Sequence, residues 1–470
     1  VTSANTLALL IGRIASALST VVVLSIVART RTADELGIVA LGLSVGVVLA
    51  VLPEAGLTAL LVRESARDPS SAGRRLSGLL LLRAIGLPLG IVGIGALVAL
   101  AYGPDAGLIM LVALGPALQQ ISELGRAVFI AQERMEFASL HTIVENTAWA
   151  GAIATVLAIT GDLALAFAAA AIVVAMAVLV ALAMATTIGR VGLSRPLPGE
   201  LGQLLRSAGP FAGLSTLAVV ASRMDTFLVS LLLPNGIALA GIYYAITRLT
   251  TAAEYLPDAL SRATYPRVAR RVHEGAATVA EILRPAVRQC VAIGIPIPIG
   301  LVVAGGWLLG FLYGAEVAAY DWLLIALGVA IPFRYLSSLF GPVLTGSDRQ
   351  TRRLRDFALA VATALVLDLI LLSTVGLPGV AVATVASAIL LAALFTNAVT
   401  GMFGRLIEPA DVIAALAVSS IAGAVGLGVR NVAGSGGELL GGIVFTSIVI
   451  LGWVAMWRGP SRWRPPDPAA

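Results

Sequence analysis

The sequence predicts an all-α, polytopic membrane protein with fourteen transmembrane helices: two six-helix lobes and two helices appended after them. Three observations lead there. The 470-residue chain is 59% hydrophobic and only 12% charged, where a soluble domain carries about 25% charged residues. Its mean hydropathy is +0.97, so its polar side chains cannot cover a water-facing globule. Finally, the apolar residues fall into runs of spanning length, and the loops between them alternate between rich and poor in arginine.

Fourteen runs approach the roughly 20 apolar residues that a crossing helix needs. They are 6–28, 36–61, 78–101, 107–130, 140–160, 163–188, 208–233, 238–261, 287–312, 321–345, 356–375, 378–403, 410–429 and 438–457. The first has no cleavage-site pattern after it and is expected to be a retained helix. With both chain ends placed in the cytoplasm, cytoplasmic segments hold 22 of the 31 arginines, external loops three and the runs six. That is the positive-inside pattern sustained across the whole chain. The external loops, among them "YGPDAG", "TGDL" and "STVGLPG", are too short to fold as a domain. The expected organisation is an N-terminal lobe at 1–188, a cytoplasmic linker at 189–207, a C-terminal lobe at 208–404, and the last two helices with a cytoplasmic tail at 405–470.

An internal repeat supports the two lobes. At an offset of 204, Leu52-Pro53-Glu54-Ala55 falls on Leu256-Pro257-Asp258-Ala259, Arg63 and Arg67 fall on Arg267 and Arg271, and Gly37-Ile38 falls on Gly241-Ile242. Both copies end a run that passes from outside to inside, six runs apart. This implies parallel halves related by an axis along the membrane normal, a plan used by transporters.

Charges inside the runs are the candidate functional residues, because an arginine at a helix centre costs about 2.5–3.5 kcal/mol on insertion. Arg83 lies about five residues from a cytoplasmic end and can snorkel. Glu123 and Arg126 share a helix face and can neutralise each other. Arg248 and Arg334 lie ten or more residues from either end of their runs, and Arg13 lies in the inner third of the first. Arg223 and Asp225, two apart, point to different faces. Arg13, Arg223, Arg248 and Arg334 are the candidate substrate-binding residues, since guanidinium matches phosphate oxygens two at a time. Glu54, Asp225, Glu254, Asp258 and Asp368 are the candidate coupling or gating residues. Glu54 and Asp258 are repeat-related, about 13 Å along the helix from Arg63 and Arg267, and the proline before each loosens the helix. A proton-titrating gate and helix-end acids paired with nearby arginines both fit these acids.

Other chemistries lack support. The lone Cys290 excludes an intrachain disulfide and a cysteine metal cluster, and the two histidines, His141 and His273, lie far apart. No metal and no cofactor is expected. No phosphate-binding loop, nucleophile elbow or zinc-protease motif occurs, so an enzyme is not expected. The net charge of +5 follows membrane topology and does not argue for nucleic acid.

With these residues laid out, the chain resembles the Wzx-type polysaccharide-biosynthesis flippases of the multidrug/oligosaccharidyl-lipid/polysaccharide exporter superfamily. The resemblance is carried by "VARTRTADELGIVALGLSV", "PEAGLTALLVRESAR", "AQERMEFASL", "GPFAGLSTLAVVASRMDTFLVSLLL", "AGIYYAITRLTTAAEYLPDALSRATYPRVAR" and "GLPGVAVATVASAIL", in that order. It implies a monomeric transporter in the bacterial cytoplasmic membrane that carries a polyprenyl-diphosphate-linked oligosaccharide to the outer leaflet by alternating access. Cavity arginines would hold the diphosphate, and Arg13, Arg248 and Arg334 are the positional stand-ins. Its partners would be the lipid-linked oligosaccharide, membrane lipids and a polysaccharide polymerase. A multidrug or ion antiporter of the same superfamily and a membrane glycan polymerase or ligase are the alternatives. The first would favour acids and aromatics in its cavity, and the second a sizeable external loop.

Overall fold

The structure, a computed structural model, describes residues 2–51, 58, 61, 62, 65, 68, 72–194 and 200–458. Pro53, Glu54, Arg63 and Arg67, the first copy of the repeat's charged end, lie outside the described residues. Every described element is helical: α1 (Thr2–Thr30), α2 (Ala33–Val51), α3 (Ala72–Tyr102), α4 (Ala106–Ala131), α5 (Met135–Thr160), α6 (Leu163–Thr187), α7 (Glu200–Leu232), α8 (Gly236–Ala253), α9 (Tyr255–Arg271), α10 (Ala276–Gly294), α11 (Pro296–Tyr313), α12 (Ala315–Ala318), α13 (Asp321–Gly328), α14 (Ile331–Gly346), α15 (Gln350–Val375), α16 (Leu377–Phe403), α17 (Pro409–Val432) and α18 (Gly437–Arg458). Apart from the breaks within runs and single residues at run ends, the described residues of the apolar runs are helical; 52–57, 59 and 60 of the second run lie outside the described residues. Ten described stretches are long and apolar enough to cross a membrane, one of them Ala72–Ala131, which holds both α3 and α4; counting the bent pair α13 and α14 as one span makes eleven.

The chain divides into two compact units. The first is Val1–Arg248 with Asp368–Val380, and the second is Leu249–Leu367 with Ala381–Ala470. In the first unit α4 packs on α2 and α6, and α5 packs on α1 and α6. Its core between α2, α3 and α4 is built from Ile38, Leu41, Val45, Leu49, Val98, Ile109 and Ala113. In the second unit a larger core gathers α9, α10, α14, α16 and α17 around Leu283, Val287, Tyr335, Phe340 and Phe395. A satellite of Val303, Ala422 and Phe445 packs α11, α17 and α18 together. Large apolar side chains such as Leu100, Ile159 and Leu179 are left outward, as expected where the surrounding solvent is lipid.

Three of the fourteen runs are divided helices among the described residues, one of them 287–312 at Ile295, between α10 and α11. The run 321–345 bends by 41° between α13 and α14, where Pro332 sits in the first turn of α14 and has no N–H to give back. The run 238–261 breaks at Glu254, between α8 and α9. Pro257 explains this break, because its missing N–H leaves the carbonyl of Ala253, four residues back, without its helical donor. The buried Tyr335 of α14 supplies the substitute: its hydroxyl donates to Ala253 O at 2.7 Å. The side chains on either side are held from the same helix, with Arg334 Nη1 donating to Glu254 Oε1 at 2.7 Å and Ser338 Oγ to Asp258 Oδ1 at 3.2 Å.

One interior arginine departs from the sequence expectation, and another keeps the expected partner and adds a closer one. Arg83 does not snorkel; it is buried and donates to Ala50 O in the last described turn of α2 at 3.2 Å. Arg126 reaches across to Glu145 of α5 at 2.5 Å, with its helix neighbour Glu123 farther off at 3.7 Å. Glu145 also accepts from Ser122 at 2.6 Å. Arg126 faces His141 Nδ1 at 3.4 Å, while His141 Nε2 donates to Ala177 O at 2.9 Å. Charge and hydrogen bonds here close among α4, α5 and α6, which is how a membrane interior tolerates ions.

The helix break yields a test. Tyr335→Phe strands the Ala253 carbonyl and is expected to cost about 1–3 kcal/mol, the usual penalty for an orphaned buried polar group. Pro257→Ala in the same chain restores the helical N–H and should recover most of the loss. Thermal unfolding of the detergent-solubilised single and double variants measures both effects.

Candidate functional site

The deep charges of α7 and α8 meet around two adjacent tyrosines. Successive residues on a helix point about 100° apart, so Tyr243 and Tyr244, both buried, serve different partners. Tyr244 carries the arginines. The guanidinium carbon of Arg248 stands 4.4 Å from its ring centroid and that of Arg223 stands 5.5 Å from it. Arg223 also hydrogen-bonds the Tyr244 side chain. Cation–π contact holds a guanidinium without neutralising it. Both charges therefore persist, and Arg223 Nε and Nη1 and Arg248 Nε are buried donors without acceptors among the described residues. Buried donors normally find partners, so these three nitrogens set the pair apart from the closed ion pairs of the first unit.

Tyr243 carries the acids. Its hydroxyl donates to Asp225 Oδ2 at 2.6 Å. Asp225 in turn stands beside the carboxyl of Asp368, from the α15 segment that belongs to the same unit. Asp368 is buried, and its Oδ1 has no donor among the described residues. The cluster thus holds cationic and acidic halves side by side, on opposite faces of α7 and on consecutive residues of α8.

The remaining sequence candidates lie elsewhere. Arg13 is exposed on α1. Arg334 and Glu254 form an ion pair at the α8–α9 break, each about one-third exposed. Asp258 lies one turn on, beside Ser338 and 3.7 Å from Arg262. Glu54 lies outside the described residues. Tyr243, Tyr244 and Tyr335 were not singled out by the sequence reading. The one available signal was "YY" one helical turn before Arg248, and the partners of neither tyrosine could be read from spacing.

The repeat-related glycines do meet. Gly37 of α2 and Gly241 of α8 lie at a crossing so close that a Cβ on Gly241 would stand 2.5 Å from Gly37 N and 2.8 Å from its Cα, and one on Gly37 would collide with Ile237 O. Equivalent residues in mutual contact lie beside the axis that relates their two helices.

Family and fold comparisons agree with this picture. The sequence profile described as polysaccharide biosynthesis protein matches residues 3–272, more than half of the chain. The chain belongs to the polysaccharide biosynthesis protein family. No curated protein matches it significantly. Among solved structures, the fold of this family member is similar to that of "Lipid II flippase MurJ, inward closed conformation", with a TM-score of 0.77, 13% identity, and coverage of 97% of this chain and 98% of that one. It is also similar to an inward-facing multidrug resistance MATE family transporter of the MOP superfamily, with a TM-score of 0.62, 14% identity, and 84% and 95% covered. An outward-facing MATE transporter gives 0.56, with 16% identity and 84% and 93% covered. The polysaccharide biosynthesis protein is thus a multi-pass membrane protein whose fold is that of MurJ and the MATE transporters.

The glycine crossing makes a specific demand. Gly241→Ala should destabilise the solubilised protein by about 1–3 kcal/mol through overpacking, whereas Gly151→Ala, whose added Cβ meets nothing within 4 Å, should leave the unfolding midpoint unchanged or raise it. A pair of melting curves decides the matter.

Proposed function

We propose that the protein is a flippase that moves a polyprenyl-diphosphate-linked oligosaccharide, a cell-surface polysaccharide precursor, across the bacterial cytoplasmic membrane by alternating access. The observation that carries this reading is the pair of guanidinium groups on Tyr244, of which Arg223 Nε and Nη1 and Arg248 Nε are buried and have no acceptor among the described residues. A lipid-linked sugar has a tail that stays in hydrocarbon and a head that must not. A diphosphate brings about two negative charges, and its attraction to a guanidinium at an effective dielectric near 20 is several kcal/mol. Arg223 and Arg248 supply that attraction from within their helices, nine and five residues before the ends at Leu232 and Ala253.

The family match supports a role in polysaccharide synthesis, and the arginine-rich loops support a cytoplasmic face for the ends of the even-numbered runs. The repeat-related lobes, 1–188 and 208–404, alternate access to the two leaflets. The Asp225–Asp368 carboxyl pair is the coupling element: it holds a proton that a monovalent cation or the opposite phase can exchange. Membrane lipids and a polysaccharide polymerase are the partners in this scheme.

Leaflet-resolved labelling of lipid-linked glycan in proteoliposomes tests the proposal. Wild type should deliver label to the distal leaflet. Arg223→Ala and Arg248→Ala should each slow delivery by at least about tenfold, the loss of one charge-assisted hydrogen bond, with normal insertion. Normal delivery by both variants would remove the diphosphate assignment.

The coupling role has its own test. Asp368→Asn keeps a hydrogen bond to Asp225 and removes the exchangeable proton. Delivery by that variant should no longer respond to an imposed proton or sodium gradient, while binding of the lipid-linked substrate, measured by quenching or native mass spectrometry, stays within about twofold. A gradient response equal to wild type would exclude the pair from coupling.

A further inference from the structure

A second arginine cluster belongs to the second unit. The buried residues of α9 are Pro257, Ser261, Thr264 and Val268, a spacing that puts them on one face of the helix. The other face leaves Arg267, Arg270 and Arg271 exposed. Residues 267, 270 and 271 are three and four apart, so their side chains share one side of the helix. Together with Ile282 of α10 they line a pocket of about 240 Å³. No acid lines it. Glu274 is 3.8 Å from Arg271, and that pair is more than half exposed on both sides. Glu281 and Arg284 flank Ile282 in sequence and are both exposed, so they leave the local excess of positive charge unchanged.

The position of this pocket along the chain says what reaches it. α10 opens an apolar stretch of 38 residues, Ala276–Tyr313, that is long enough to enter and cross a bilayer. Ile282 is six residues in, about 9 Å along the helix axis. Ile282 also lies five residues ahead of the apolar run 287–312, so the sequence pattern sets the three arginines near the passage from water into hydrocarbon, with Ile282 as the apolar side chain that lines their pocket. Arginine binds phosphate oxygens through paired N–H donors, and basic residues at a membrane surface contribute about 1 kcal/mol each toward anionic lipid.

We propose that Arg267, Arg270 and Arg271 hold the phosphodiester of an anionic membrane phospholipid, with Ile282 against its glycerol and first acyl carbons. The site is separate from the translocated substrate. It ties the end of α9, and through α14 the α8–α9 break, to the composition of one leaflet.

The full-length protein in nanodiscs of phosphatidylcholine, with and without phosphatidylglycerol, tests this. Native mass spectrometry should show retained phosphatidylglycerol in preference to phosphatidylcholine. Replacing all three arginines with Gln should weaken phosphatidylglycerol retention by at least about tenfold, and replacing all three with Lys should keep most of it. Ile282→Glu, which adds a carboxylate to an otherwise intact pocket, should weaken it as well. Unchanged retention in both the Gln and the Glu variants would overturn the proposal. So would inorganic phosphate binding the solubilised protein as tightly as the lipid does, because the pocket would then be a site for a soluble anion. Neither outcome depends on transport, so this proposal can fail while the flippase reading stands, and the reverse.

Discussion

Hydrocarbon offers no partner to a polar atom, so every polar group carried into it must be answered from within the protein. Much of the described structure can be read as a set of answers. Arg126, Ser122, Glu145 and His141 close on one another between two helices, and His141 reaches a third through Ala177 O. Arg83 takes a helix carbonyl. Tyr335 gives back the hydrogen bond that Pro257 withholds. Against that background the stacked arginines on Tyr244 stand out. Two cations are held in place by an aromatic face, which leaves their charge intact and several donors unspent.

The helix breaks belong to the same logic. A proline inside a spanning helix frees a carbonyl, and that carbonyl needs a substitute donor or water. At Glu254 one turn of α14 provides it, and also fixes Glu254 and Asp258. The result is a discontinuity held by side chains, which can be released by breaking a few hydrogen bonds without repacking a core. α13 and α14 are themselves bent at Pro332, so the element that pins the break is also interrupted. Movable gates need this kind of construction, in which a small number of polar contacts separates two arrangements.

Charges that lie two residues apart on α7 end up with neighbouring tyrosines on α8. Asp225 goes to Tyr243, and Arg223 to Tyr244. The helical turn that stops Arg223 and Asp225 from pairing is what sends each to its own partner. It also keeps the acid pair with Asp368 apart from the anion receptor, so one short stretch of the molecule serves both signs of charge.

Composition, run length and arginine placement determined the membrane class and the helical ground plan, because hydrophobic length and loop charge act locally along the chain. The repeat at offset 204 likewise announced that Gly37 and Gly241 are equivalent. Only the tertiary structure decided that these two glycines touch, that the run 238–261 is two helices, and that Arg126 prefers Glu145 to its helix neighbour. It also decided that Arg334 is paired with Glu254 while Arg223 and Arg248 share a tyrosine. The reason is physical. Burial and turn propensity depend on nearby residues, whereas the partner of a buried charge depends on which helices come within about 3 Å of it. That distance is set by packing among segments tens to hundreds of residues apart.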